Sequence, residues 1–578
     1  MISSRVPTES IQQVGLSGLV LSKNPKLNTQ LSRVELGIGV AVLLVLLGLR
    51  WFYVNAQPWD SDEPQHLHVV WAWANGMLPY KDVFDNHSPL FQAISAPLFA
   101  LLGERADIVT AMRWTMVPIA GLILAMTYLI GAQIFSPRVG LWGTLLTATF
   151  PDFYFKTGEY RPDVLWTALW LITLAILTAG RPNPRRLFAA GLTFGIAFAV
   201  SMKTTFLALT ILTAAVTVWL LRSAVPGSRS SPKKSGYHVF ASLLALIAGA
   251  LIVPLLVVAF FAWNGALQQM YYCVIVHNIT SEGDAWRIFL QRTSDIRFWW
   301  FIPMIAGGLW LAQFDDDRDR ALRRLFFLCV TGLFCPLLFT FWPLVTKQDF
   351  VPFFPIFMLA LACPLVGISE WLFQKIDLPV FLLPALLVSA ELVRMVSGHP
   401  PLKETNQRNL KVISDTLNLT HPGETVFDAK GQTIFRPRPY YYVFEQITRE
   451  RVERGELPDD APERLVAART TVAVQSHWLS TATKQFMDQN YISLGSVLVL
   501  GKRIFPPSDG HVQFEIVIPE KYTLMSRSGS FSGTLDGTNM IGPHFLSAGV
   551  HQLVLNSPAD VVRAVWSRAI EKGYYPEN

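Results

Sequence analysis

The chain is predicted to be an α-helical polytopic membrane protein with a soluble C-terminal part. Three observations lead there. Of its 578 residues, 51% are hydrophobic and only 16% charged. Long apolar segments recur from about Glu35 to about Leu392, and from Ser397 onward the sequence becomes mixed, polar and rich in turn residues. That contrast marks a membrane unit followed by a soluble one.

The first 33 residues carry Arg5, Lys23, Lys26 and Arg33 without an apolar core. They read as a cytoplasmic tail. The run that follows, VELGIGVAVLLVLLGLRWFYV, is expected to be a retained first span, because a long hydrophilic lead and a charged segment flank it. Cys273, Cys329, Cys335 and Cys363 lie in or beside apolar segments, so no disulfide framework or CxxC metal pattern is available. The net charge of +6 is informative through its placement, and nucleic acid is not implied.

A bilayer core of about 30 Å needs about 20 apolar residues per helix. On that basis the expected spans are 34–54, 108–132, 137–151, 163–180, 186–203, 204–222, 238–263, 297–313, 322–344, 350–370 and 377–396, about eleven. The run 89–103 is short enough to be re-entrant or interfacial. With the N-terminus inside, the connections bearing Arg138, Arg181 to Arg186, Arg222 to Lys234, Arg318 to Arg324 and Lys375 fall on the cytoplasmic face, as the positive-inside rule requires. The odd count sends the C-terminal part to the outer, periplasm-like side of the plasma (inner) membrane. The expected units are 34–397, an α/β unit over 398–505 and a small β-rich unit over 506–578.

The same assignment puts QPWDSDEPQHLHVVWAWANGMLPYKDVFDNHSPL, Gln57 to Leu90, on the outer surface. KTGEYRPD (156–163), Lys203 and TKQD (346–349) share that face, as does the loop 264–296. Charges at membrane depth are expensive, so a cluster converging from separate loops signals function. Carboxylates beside cations at a lipid surface suit transfer of a sugar from a polyprenyl phosphate. The phosphate leaves as an anion and needs cations rather than an acid, and the acceptor hydroxyl needs one base. Asp62 or Glu63 is the candidate base. Arg161, Lys203, Lys347 and His87 are the candidate phosphate holders, Arg through a bidentate fork and Lys as a point charge.

DSDEPQHLHVVWAWANGMLPYKDVFDNHSPL resembles the first outer loop of the GT-C glycosyltransferases, specifically the bacterial relatives of protein O-mannosyltransferase and of the aminoarabinose transferase of lipid A. The matching residues are Asp62-Glu63, then Gly76, Pro79, Tyr80 and Asp82, then His87, Pro89 and Leu90. GEYRPDVLW is similar to the family's Arg-x-Asp at the start of a later span. The resemblance implies the GT-C fold and an inverting transfer from a polyprenyl-phosphate sugar, with Asp62 as base. Asp60, two residues earlier, leaves that assignment open. Tyr80, Asp82, Glu159, Asp163 and His277 are the expected substrate contacts. No cofactor is expected, although an Asp60/Asp62 pair also resembles the DxD of the metal-dependent oligosaccharyltransferases. The expected partners are the lipid-linked donor, a glycan, lipid or protein acceptor, and the bilayer.

Simpler roles stand beside these. Asp62 and Glu63 precede a helical pattern and suit a helix N-terminus. Arg161 and Asp163 can pair to cap the following span. Lys203 and Lys347 can snorkel to headgroups. His66 and His68, two apart, do not share a helix face as a metal pair would. The loop 264–296 has the length of a lid, whereas FDDDRDRALRRL is expected to be a solvated cytoplasmic loop. Tyr440, Tyr441 and Tyr442 suit either sugar stacking or a buried strand. The competing function is a transporter or flippase of lipid-linked saccharides, which would show inverted repeats and midplane charge; the sequence has no internal repeat. A non-enzymatic glycan receptor would have no use for the cation–carboxylate cluster.

Overall fold

The computed structural model describes residues 31–180, 183–222, 236–279, 318–342, 345–373, 378–526, 532–556 and 561–576. Among the described residues, fifteen α-helices precede the soluble part. They are α1 (Arg33–Ala56), α2 (Asp62–Ala74), α3 (Leu90–Leu102), α4 (Ile108–Arg113), α5 (Met116–Ile134), α6 (Pro137–Thr149), α7 (Pro151–Lys156), α8 (Pro162–Thr178), α9 (Pro184–Val200), α10 (Thr204–Leu221), α11 (Gly236–Trp263), α12 (Leu267–Tyr271), α13 (Arg318–Phe341), α14 (Phe353–Phe373) and α15 (Leu382–Gly398).

Six helical stretches among the described residues are long and apolar enough to cross a bilayer: Arg33–Ala56, Ile108–Ile134, Thr204–Leu221, Phe240–Trp263, Arg318–Leu338 and Phe353–Phe373. The other expected spans fall on α6, with 13 residues, and on α8, α9 and α15, with 17 each; 297–313 lies outside the described residues. The length of α6 is not set by a bilayer. Every residue from Arg138 to Thr149 is buried inside the protein, and Pro151 restarts the chain as α7. At the other extreme, only 6% of the apolar window of α11 is buried. Its Leu243, Leu244, Leu251, Leu255 and Leu256 face outward, a surface that water would not tolerate and lipid does.

Small residues bring the helices together. Gly191 and Gly195, four apart on α9, face Gly249 on α11. A Cβ on any of the three would collide with the backbone of the opposing helix, so this pair packs main chain to main chain.

The two ends of the bundle differ in chemistry. At one end Ser32 and Glu35 form a capping box for α1, and Glu35 also accepts from Arg138 at 2.8 Å and Trp142 at 3.2 Å. Arg138 reaches Glu370, near the last turn of α14, at 3.0 Å. The end of α1, the start of α8, the start of α10 and the segment before α14 gather at the opposite end, where the soluble part is seated.

That part contains α16 (Gln407–Leu419), α17 (Gln446–Glu453), α18 (Ala461–Ala467), α19 (Thr481–Asn490) and α20 (Ser567–Glu571), with strands β1 (Val426–Phe427), β2 (Val472–Ala473), β3 (Tyr491–Leu494), β4 (Val497–Ile504), β5 (His511–Ile516), β6 (Glu520–Ser526), β7 (Gly533–Leu535), β8 (Thr538–Asn539), β9 (Pro543–Leu546), β10 (Gly549–Leu555) and β11 (Val562–Trp566). One seven-stranded sheet runs β1-β2-β4-β11-β6-β9, with β3 also on β4; a second runs β5-β10-β7-β8. The expected boundary at 505/506 therefore cuts through a sheet. β11 pairs antiparallel with β4, Val562 opposite Ile504 and Val565 opposite Gly501. Local alternation reported the strands, but their long-range pairing carries no local signal.

Replacing Gly195 by Leu should force α9 and α11 apart. The expected cost is about 1–3 kcal/mol, read as a lower thermal midpoint and lower monodisperse yield in detergent.

Candidate active site

The site begins with a buried arginine. Arg113, in α4, is fully buried and donates to the carbonyls of Val54 and Gln57 at 3.0 and 2.9 Å and of Pro58 at 3.0 Å. The same guanidinium grips both oxygens of Glu63 at 2.7 and 2.6 Å. Glu63 also accepts the backbone N–H groups of Asp60 and Tyr160 at 2.9 and 2.8 Å. Five donors in a planar fork are what this knot requires. Glu63 was expected as a supporting acid at the reaction centre. Its carboxylate is instead turned wholly into the protein, where it ties the end of α1 to α2 and to the α7–α8 loop.

This knot turns Asp60 and Asp62 the other way. Asp60 Oδ1 accepts the N–H of Asp62 at 3.1 Å, a short-range turn that aspartate favours. α2 then starts at Asp62. On the facing segment Pro162 occupies the first position of α8 and Arg161 its N-cap. Proline is pre-organised for that position and has no N–H to leave unbonded. Asp163 consequently lies in the first turn, where the helix dipole favours an acid.

Arg161 is 3% exposed and sits among four carboxylates: Asp62 at 2.7 Å, Asp60 at 2.9 Å, Asp163 at 3.4 Å and Glu159 at 3.8 Å. Lys156 joins Asp60 at 3.2 Å and Glu159 at 2.9 Å. Lys203, which has the alternative of snorkelling to headgroups, points inward. Its Nζ is 3.0 Å from Asp163 and also pairs with Asp349, between the rings of Trp166 and Trp342 at 5.9 and 5.7 Å.

A further cation arrives from the soluble part. Lys430 Nζ donates to Asp62 Oδ1 at 2.6 Å and Ser61 Oγ at 3.1 Å. Its loop is shaped by Asp428, which accepts from the N–H groups of Gly431 and Thr433 and pairs with Arg438 at 3.2 Å. Gly431 has φ +79°, and a Cβ there would meet His68 at 2.8 Å. Only glycine lets this loop lie against α2.

Burial alone would raise the Asp62 carboxyl, but Arg161 and Lys430 overcome it and hold the group well below the usual carboxylate range. Asp60 is lowered in the same sense, with Arg161 again the main opponent of burial. Glu159 goes the other way. Burial pushes it up to about 7, Lys156 and Arg161 opposing and Glu63 and Asp60 reinforcing. Burial lowers the imidazolium of His66 well below its ordinary range, helped by His87 and Arg161, so the ring is neutral.

Asp60, Asp349 and Lys430 line a cavity of about 400 Å³ roofed by Glu445, Gln446, Ile447 and Trp478 of the soluble part. Asp62, Arg161, Asp163, Lys203 and His87 share it. His87 Nδ1 is 2.9 Å from Asp85, and its ring lies 4.6 Å from His66. The other expected residues are placed elsewhere. Lys347 is 65% exposed and pairs with Asp152 at 3.2 Å; its neighbours Thr346, Gln348 and Asp349 line the cavity instead. Tyr80 is fully buried in a left-handed conformation, φ 69°, and donates to the His87 carbonyl at 2.7 Å. Asp82 is exposed and accepts the Leu78 N–H at 2.7 Å. Both shape the α2–α3 loop. Glu159 stands behind Arg161, bonded to Gln57 at 3.1 Å. His277 is buried, with Nε2 3.1 Å from Glu445, so it touches the cavity wall through a partner. The expected lid beyond Ile279 lies outside the described residues up to 317. Tyr441 donates to the Tyr80 carbonyl at 2.5 Å, and Tyr440 is buried, so these two tyrosines pack beside the site.

Sequence reasoning missed Lys430, Arg113 and Glu445. A glycine after lysine in DAKGQT was a turn signal, but nothing local said which surface that turn would meet. As for a divalent ion, the oxygens of Asp60 and Asp62 are directed to Arg161, Lys156 and Lys430, and among the described residues no three His, Cys, Asp or Glu side chains converge as a metal set. The donor set does not fit a metal.

Arg113→Leu leaves Glu63 charged and buried without a cation to match it. A loss of about 3–5 kcal/mol is expected, measured as a collapsed thermal midpoint, and Arg113→Lys should recover little of it. The Glu159 carboxyl, raised when folded, contributes stability below about pH 4.5 that is lost as pH rises to about 7. Thermal midpoints in detergent should therefore fall between pH 5 and 8 for the native chain and vary less for Glu159→Gln.

Residues 86–257 match the family model described as dolichyl-phosphate-mannose-protein mannosyltransferase. A search of curated proteins gives no match. Among solved structures the chain is similar to ArnT from Cupriavidus metallidurans bound to undecaprenyl phosphate, at 13% identity and a TM-score of 0.52, covering 80% of this chain and 98% of that one. It is also similar to the apo oligosaccharyltransferase of Archaeoglobus fulgidus, at 12% identity and a TM-score of 0.51, covering 86% and 74%. A bundle of apolar helices, its charged end roofed by a C-terminal sheet domain, thus has the GT-C glycosyltransferase fold.

Proposed function

We propose that the chain is a multi-pass membrane glycosyltransferase of the plasma (inner) membrane, working on its outer, periplasm-like face. It moves a sugar from a polyprenyl-phosphate donor to a hydroxyl of a glycan, lipid or protein, with inversion. The observation that carries this reading is the ionised Asp62 at the wall of a cavity that also holds Arg161, Lys203 and Lys430. The similar ArnT structure, which holds undecaprenyl phosphate, supports the choice of donor.

In this reading the acceptor oxygen attacks the anomeric carbon from the face opposite the phosphate. Its proton passes to Asp62, and the C–O bond to phosphate breaks with its electron pair remaining on the phosphate. No acid is needed for such a leaving group. The charge change is local. As Asp62 is neutralised by the proton, the phosphate gains a negative charge, and Arg161 and Lys430, no longer matched by Asp62, stabilise it. Lys203 approaches from the far wall, and His87 offers a further donor at the α2–α3 loop. Arg161, crowded by four acids, serves chiefly as the fixed positive centre. No step is routed through a metal ion.

Purified protein is incubated with a radiolabelled polyprenyl-phosphate sugar and scored for product or donor hydrolysis. Asp62→Asn should lower turnover about 10²–10⁴-fold while donor binding and thermal midpoint are kept. Full activity in Asp62→Asn with loss in Asp60→Asn would move the base to Asp60. No turnover by the native chain on any such donor would remove the reading.

A further inference from the structure

Beside the catalytic cavity lies a second and larger space of about 1440 Å³, which exceeds the roughly 300–1000 Å³ of ordinary small-molecule sites. It runs between the membrane unit, at Trp59, Asp60, Ser61 and Pro64, and the soluble part, along α16 and the segment 474–478. Asp60, Ser61 and Trp478 line both spaces, so the large groove opens where the base resides.

Its lining is polar and built for contact. Arg408 and Lys411 lie on the groove side of α16, both exposed and without an ion-pair partner among the described residues. Across from them, Asp60 is already matched by Arg161 and Lys156, and Asp107 is matched by Arg105 at 2.5 Å. The unmatched charge in the groove is therefore positive. Two buried polar atoms in the lining lack a hydrogen-bond partner, the Trp59 indole Nε1 and Gln432 Oε1. Buried groups left unpaired cost free energy unless a ligand or water satisfies them. Trp478, half-buried with the His477 ring 4.9 Å away and the Arg449 guanidinium 5.5 Å over its own ring, adds an aromatic group to the lining.

We propose that this groove is the acceptor subsite and that the acceptor is an extended oligosaccharide bearing carboxylate or phosphate groups, its terminal hydroxyl delivered past Ser61 to Asp62. The inference rests on the glycosyltransferase reading for its direction of transfer, and the groove's chemistry supplies the substrate class. A monosaccharide would leave most of the volume empty, and a neutral glycan would leave Arg408 and Lys411 unmatched.

The test uses the full chain in nanodiscs and two probes, hexuronic acid oligomers of two to eight units and the same oligomers with their carboxyls reduced. Each is presented free and conjugated to a diacyl lipid. Binding is measured by ligand-observed NMR and calorimetry. Acidic oligomers should bind, tighter with length, and at least about tenfold tighter than the reduced set. The double variant Arg408→Ala/Lys411→Ala should lose about tenfold of that affinity with an unchanged thermal midpoint, and Trp478→Ala should weaken both sets. Binding of the free form indicates a polymer acceptor, and binding only of the conjugate indicates a lipid-borne one; both support the site. Equal binding of acidic and reduced oligomers, or no binding of either, overturns it. Donor hydrolysis by the native chain is scored separately. If hydrolysis is seen without glycan binding, the groove proposal alone falls; if binding is seen without any donor turnover, the enzymatic reading falls and the groove stands as a glycan site.

Discussion

One buried guanidinium organises the charged end of this protein where the C-terminal part is seated. Arg161 holds Asp60 and Asp62 from one segment and Glu159 and Asp163 from another, a convergence that fixes where α2 and α8 begin relative to each other. Removing a charge from water is costly, and the cost is recovered only when opposite charges and hydrogen bonds close round it. Here the acids outnumber the arginine, so the surplus negative charge recruits Lys156, Lys203 and Lys430 from three further places in the chain. Lys203 and Lys430 line the cavity together with Arg161.

The division between structural and chemical acids follows from the same accounting of charge. Glu63 and Asp62 are adjacent in sequence yet face opposite ways because they occupy successive positions on the first turn of a helix, about 100° apart. Glu63 meets Arg113 with no solvent access, whereas Asp62 keeps 24% of its side chain exposed and shares Lys430 with the soluble part. An acid meant to take a proton has to remain reachable, and an acid that ties three chain segments together does not.

The soluble part completes the site. Asp428 and Gly431 shape a turn that lies against His68, and that turn carries Lys430 to Asp62. His68 in turn bonds the Ile434 carbonyl at 2.9 Å. The seating of the sheet domain is thereby coupled to the charge state of the candidate base, and Ser61, which Lys430 also bonds, lines both cavities.

The sequence by itself determined the class of the molecule: the apolar segments, the break near Ser397 and the ordered run from Asp62 to Leu90 all report local composition and periodicity. It also identified Asp62, Arg161, Asp163 and Lys203 as belonging together, because charges placed at one edge of a hydrophobic bundle have few places to go. Tertiary structure alone decided the roles. That Glu63 turns to Arg113, that Lys347 turns away to Asp152, and that Lys430 takes a place beside Asp62 are outcomes of contacts between residues about 50 to 370 positions apart. The continuous sheet across residue 505 has the same origin. Hydrophobic period and charge are properties of neighbours in sequence, whereas the partner that a buried charge finds depends on which surfaces the whole fold presses together.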